Sequence, residues 1–204
     1  MRLAFAIAAI ALSAAGAPAL AQAAPAAPAG AYVNDATHTS LEWRIKHQGL
    51  SFYTARFTKV DAQLDFNEAD VSKSKLSVTV DPKSVETDYA KTRSDTRDFN
   101  AEIVGEQILN TPKFPTITFK STKVAKTGAD KGTVTGDLTF LGVTKPVTLA
   151  ITYNGNRPDP RTQKHKLGFS ATGTIKRSDF GLAYGAAFLG DEVQIVIETE
   201  FRQK

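Results

Sequence analysis

The sequence predicts one all-β domain, about eight antiparallel strands closing into a barrel with a single short helix. Three observations carry that prediction. Apolar residues recur at every second position in segment after segment, turn-forming clusters separate those segments, and the absence of cysteine leaves stability to packing alone.

The elements follow in chain order. Arg2 gives a short positive start, Leu3 to Ala15 is apolar and uncharged, and Ala19-Leu20-Ala21 supplies the small residues read by a signal peptidase. Residues 1–21 are therefore expected to be a signal peptide cleaved after Ala21, since the run is shorter than the roughly 20 residues of a membrane span. Residues 22–30, rich in alanine and proline, read as a linker, and residues 31–204 as the domain. Beyond residue 31 charged or polar residues interrupt every apolar run, so no integral membrane segment is expected after cleavage.

The first strand reads from Leu41, Trp43 and Ile45, alternating with Glu42, Arg44 and Lys46. Phe52 to Phe66 forms the second. Its parity changes between Phe57 and Leu64, which predicts a bulge or strong bend near Thr58 to Asp61 that helps a sheet close. Leu76, Val78 and Val80 mark the third strand, and Pro115 to Val124 the fourth. Val134, Leu138 and Phe140 follow, then Val147, Leu149, Ile151 and Tyr153, then Leu167, Phe169, Ala171 and Ile175. The last strand carries Val193, Ile195, Ile197, Thr199 and Phe201. Tight reversals are expected at residues 126–132 and 154–160, where Gly, Asn, Asp and Pro cluster. Residues 97–109 break the pattern: Phe99, Ile103 and Ile108 or Leu109 recur at helical spacing, with Asp95 or Thr96 as N-cap. Pro112 and Pro115 end that helix, which could cover one mouth of a barrel.

Composition narrows the function classes. Without Arg2, 24 Lys and Arg stand against 21 Asp and Glu, a formal +3 with interspersed signs, which favours neither nucleic acid nor strong membrane attraction. Cysteine nucleophiles and thiolate metal sites are excluded. His38, His47 and His165 fall on or beside separate predicted strands at no metal-ligand spacing, so no metal is expected. Asp35, His38 and Ser40 suit a hydrogen-bond cluster at a strand start better than a hydrolytic triad, and no catalytic residue is assigned. The glycine-rich run 181–190 lacks the Lys-Ser/Thr ending of a phosphate loop and reads as a flexible loop between the last two strands. Arg177 and Asp179 are expected to pair locally at its start.

An ordered series of motifs now matters more than any single one. Asp35 with His38-Thr39-Ser40 and His47 come first, then Ser84-Val85-Glu86-Thr87, Lys113-Phe114-Pro115-Thr116-Ile117-Thr118-Phe119, and residues 136–147, GDLTFLGVTKPV. Arg177-Ser178-Asp179-Phe180-Gly181 and Gly190-Asp191-Glu192-Val193 complete it. In this order and spacing, over Tyr32 to Phe201, the chain resembles the YceI-like family of periplasmic, lipocalin-like, polyisoprenoid-binding proteins. Ala55 and Ala62 stand where that family often has glycines.

The resemblance implies an eight-stranded lipocalin-like barrel in the periplasm that encloses the tail of an isoprenoid quinone or polyprenyl lipid, with no other cofactor. Residues that would face such a ligand are Trp43, Ile45, Phe57, Phe66, Phe119, Phe140, Phe169 and Phe180, with Trp43 beside Phe140 and Phe169. From the loop residues themselves, Tyr184, Phe188 and Leu189 either line an entrance or belong to a loop tucked under the barrel. At about 0.8 kcal/mol per methylene, twenty enclosed carbons represent roughly 16 kcal/mol of gross transfer free energy, so a tail alone can bind tightly. The residues also permit a second reading, in which these aromatics fill a packed core and the domain is a ligand-free interaction or scaffold module. Neither reading fixes the oligomeric state, and a homodimer suits both.

Overall fold

The computed structural model describes residues 26–89 and 95–204. The predicted signal peptide and the linker up to residue 25 lie outside them. The described elements are β1 (Gly30–His47), β2 (Ser51–Phe57), β3 (Val60–Phe66), β4 (Lys75–Val80), β5 (Val85–Thr87), α1 (Phe99–Val104), β6 (Ile117–Lys126), β7 (Lys131–Phe140), β8 (Val143–Pro158), β9 (His165–Lys176) and β10 (Leu189–Gln203).

All strand pairs are antiparallel, and β10 pairs with β1, which closes the sheet on itself. Eight staves make the barrel, because two of them are bent. One half of β1 pairs with β3 and the other with β2, while β4 continues on β3 and β5 on β2. The bend predicted near Thr58 is thus a break between β2 and β3. It is tied to the matching break in the neighbouring stave: Thr58 N–H donates to Ser84 O at 3.0 Å and Lys59 N–H to Ser84 Oγ at 3.0 Å. With Asp81 N–H on Lys59 O at 3.1 Å, these bonds give backbone donors at the corner partners outside the ladder, as burial requires.

Several sequence expectations are corrected here. β1 begins at Gly30, not Leu41; four residues, 35–38, bulge out between the pairs Asn34–Phe201 and Thr39–Thr199 and hide the alternation. His38 and His47 therefore share one strand. The predicted reversal at 154–160 is largely strand: β8 runs on to Pro158 through a register shift between Tyr153 and Gly155, where Gly155 has φ 108°. The chain turns instead after Asp159, whose Oδ1 accepts from Arg161 N and Thr162 N. The helix is six residues, not thirteen, and its cap is Asp98, which accepts from Ala101 N–H at 3.1 Å. Asp95 is engaged by Arg97 and Tyr89 instead. Beyond Gly105 the chain folds back, with Leu109 N–H on Ile103 O and Asn110 N–H on Gly105 O, a path that leaves the helical spiral.

The two ends of the barrel differ. One carries the chain segment at 26–29, the β6–β7 hairpin and the β8–β9 turn. The other carries α1, the β1–β2 and β7–β8 hairpins and the 177–190 segment. There α1 packs Ile103 and Leu109 against Ala55 and Val85, with Trp43, Tyr53, Phe57 and Phe99 around them. Burial of this apolar stripe holds a helix too short to be stable alone. Arg177 is only 4% exposed, and its guanidinium donates to the carbonyls of Gly190, Leu182, Tyr184 and Leu189 rather than to Asp179. The 181–190 loop is therefore pinned from below. Ser178 donates to Asp191 through N–H (2.9 Å) and Oγ–H (2.7 Å), which lowers that carboxyl's pKa.

Candidate functional site: the barrel lumen

Alternation along each strand sends one residue in two to the interior, and at the end away from α1 those residues leave a space. The lumen there is about 300 Å³. Its wall is built from Leu41 on β1, Leu64 on β3, Val78 on β4, Leu138 on β7, Leu149 on β8 and Ile197 on β10. These side chains come from six staves, and none carries a polar atom. Glu68, Lys126 and Asp130 stand at the rim, so the charged groups lie where the lumen meets solvent, while Thr39, Thr199 and Tyr153 add a few polar atoms to a largely apolar lining.

Of the ten residues proposed from sequence, Phe66, Phe119 and Phe169 line this space. Phe66 and Phe169 meet edge-on at 6.0 Å, and Tyr153 stacks on Phe169 at 5.2 Å. Trp43 and Phe57 lie deeper, in the cluster beneath α1, and Trp43 packs on Tyr53 at 6.4 Å. Ile45 is buried in the same half, paired with Val193 and Tyr53. Phe140 joins that cluster and meets Phe180 at 5.6 Å. Trp43 thus neighbours Phe140 but not Phe169, which lies in the other half among Phe66, Tyr153 and Phe201. Tyr184 and Phe188 stand exposed at the α1 end, away from the open mouth, beside the exposed Leu50 and Phe52. The aliphatic wall itself was not singled out from sequence. Its signal was present in the strand parity, which marks Leu41, Val78 and Ile197 as inward as clearly as any aromatic.

Among the described residues, the buried Trp43 Nε1, Tyr53 Oη and Tyr153 Oη inside the barrel make no hydrogen bond of full geometry. Burial raises the pKa of both tyrosines, that of Tyr153 to about 12, because a phenolate would be poorly solvated there. This environment disfavours charge throughout and suits an apolar guest.

Outside the barrel the fold brings together groups that are far apart in sequence. Asp35 and His38 project from the β1 bulge, with His38 Nδ1 3.3 Å from Asp35 Oδ2, and Glu200 on β10 joins them. The Thr37 hydroxyl, donating at 2.6 Å, holds the Asp35 carboxyl down to about 2. Ser40 lies two residues on, opposite Glu198 in the ladder. The sequence expectation of no metal set rested on spacing along the chain, which cannot register Glu200.

Comparison with known proteins gives the following. The family model described as "YceI-like domain" matches residues 32–201. A "UPF0312 protein" of Pectobacterium carotovorum is 38% identical over 168 residues, 82% of this chain and 83% of that one. Among solved structures, Burkholderia cenocepacia BcnA superposes with a TM-score of 0.71 at 25% identity, covering 82% of this chain and 98% of BcnA. A polyisoprenoid binding domain from Saccharophagus degradans superposes with a TM-score of 0.59 at 14% identity, covering 85% of this chain and 98% of that domain, and so shares its fold.

Proposed function

This chain belongs to the YceI-like domain family, and from that premise we propose that it is an exported, non-catalytic binding protein. Its lumen takes up the tail of an isoprenoid quinone or prenyl lipid in the periplasm, for carriage, storage or stress protection. The observation that carries this reading is the lumen itself: about 300 Å³, walled mainly by aliphatic and aromatic side chains, with its charged residues at the rim. That volume is at the small end of ligand pockets, which run to roughly 1,000 Å³. The lumen as it stands accepts part of a long tail. Each methylene withdrawn from water contributes about 0.8 kcal/mol, so a few isoprene units suffice for useful affinity after ordering costs. The Saccharophagus domain, whose name records polyisoprenoid binding, shares the architecture and lends support.

An interaction or scaffold role draws on a different observation. Leu50 is 82% exposed, and Phe52, Tyr184 and Phe188 are also solvent-facing, all at the α1 end. Gathered apolar exposure of this kind marks contact surfaces, of a homodimer among others.

Native mass spectrometry of the protein purified from its own host separates the two. A lipid adduct of one isoprenoid molecule per chain is expected; a bare chain mass from gentle, detergent-free preparation would favour the interaction role. N-terminal sequencing of the same material should start near Gln22, and an intact Met1 would reject export.

A further inference from the structure

We propose that Asp35, His38 and Glu200 form a binding site for a divalent first-row metal ion, zinc foremost, on the outside of the barrel at the β1–β10 seam. The site stands apart from the lumen and does not depend on what the lumen holds.

The backbone shows why these three meet. In the β1–β10 ladder Asn34 faces Phe201 and Thr39 faces Thr199, so the four bulged residues 35–38 stand against the single residue Glu200. The bulge is braced: Asn34 Nδ2–H donates to Val60 O at 2.9 Å, and Thr39 Oγ1–H to Asp35 O at 2.8 Å. One ligand atom from each of Asp35, His38 and Glu200 lies within 4.8 Å of the others. Two carboxylates and an imidazole thus converge here, Asp35 and His38 from β1 and Glu200 from β10. Lys166 is the nearest cation, yet its Nζ is 4.0 Å from Glu200 and nearer, at 3.3 Å, to Asp159.

The donor set selects the ion. Calcium and magnesium take mostly oxygen ligands in larger number, whereas an imidazole beside two carboxylates suits zinc and its first-row neighbours. Three protein ligands leave a fourth tetrahedral position, as in zinc sites that bind a further molecule. That position has somewhere to face. His38 and Glu200 line a cleft of about 620 Å³, opened where β1 bulges on one side and β8 shifts register at Tyr153–Gly155 on the other. Lys166 and Arg157 line the same cleft, so water or a small anion suits the open position.

The test is calorimetric titration of the metal-stripped mature chain with zinc chloride, repeated with cobalt(II) to read tetrahedral coordination from its visible absorbance. One zinc per chain is expected. His38→Ala and Glu200→Gln should each weaken binding by about tenfold or more, the loss expected when a metal's surroundings are disrupted. Lys166→Met should tighten it by removing the competing charge, while His47→Ala should leave it unchanged. All four positions lie at least partly in solvent, and urea unfolding without zinc checks that each variant is folded. No stoichiometric uptake by the parent, uptake that His38→Ala and Glu200→Gln leave untouched, or a cobalt spectrum like that of the hydrated ion would overturn the assignment.

Discussion

The two halves of this barrel are made by the same alternating strands, yet one encloses a space and the other is filled by a cluster of aromatic and aliphatic side chains under α1. In the open half the inward positions are mainly aliphatic, Leu64, Val78, Leu138 and Ile197 among them, and among the described residues no α-helix lies over them, the single turn Val71–Lys73 standing at the rim. In the closed half Trp43, Tyr53, Phe57 and Phe140 converge under α1, and Ile103 is 3% exposed. The difference lies in side-chain volume and in a six-residue helix held by burial rather than by its own propensity. Wall and plug are separate devices, and they should fail separately.

The largest effect is expected in the wall. Gly136 stands on β7 against β6, and a Cβ there would meet Lys120 O at 2.4 Å and the Phe119 ring at 2.5 Å. The backbone carbonyl cannot withdraw without moving a strand. Gly136→Val should cost more than about 3 kcal/mol in urea unfolding, or prevent folding. A loss under about 1 kcal/mol would show that the open half deforms freely.

A matched pair sharpens the contrast. Ile103→Ala leaves a void in a full cluster and should cost about 2–4 kcal/mol. Ile197→Ala enlarges a space that already exists, so about 1–2 kcal/mol is expected. Equal losses in parallel urea titrations would mean that the lumen is closed up in solution.

The smallest effect concerns pH. Tyr153 titrates at about 12 in the fold and near 10 when unfolded, so its neutral form is the one the fold favours. Its contribution is intact below pH 10 and declines as pH rises through 12, by about 1 kcal/mol once solvent screening of this half-buried group is allowed for. Tyr153→Phe should remove that decline and change stability at pH 7 by less than about 1 kcal/mol. An unchanged alkaline profile would place the dependence elsewhere.

Much of this architecture was legible in the sequence. Parity alone marks Leu41, Trp43 and Ile45 as one face and Val147 to Tyr153 as another, because a strand's period of two leaves no choice. What parity does not encode is height along the barrel. Trp43 and Leu41 look equivalent in sequence, and only the ladder sets one beneath α1 and the other against the lumen. Bulges were hidden for a related reason. Residues 35–38 and Asn154 to Pro158 have the composition of turns, and the partners that keep them within strands are far away in the chain. Glu200 illustrates the limit best: nothing near it in sequence points to Asp35 and His38.

The most direct measurement is a titration of the mature chain and its Leu138→Trp variant with a long-chain polyprenol, followed by native mass spectrometry. Leu138 faces the lumen, and an indole there occupies space that a tail would need. The parent should bind one polyprenol per chain, and the variant, folded by circular dichroism, should bind none. A folded Leu138→Trp chain that holds polyprenol as tightly as the parent would contradict the account and put the lipid somewhere other than the lumen.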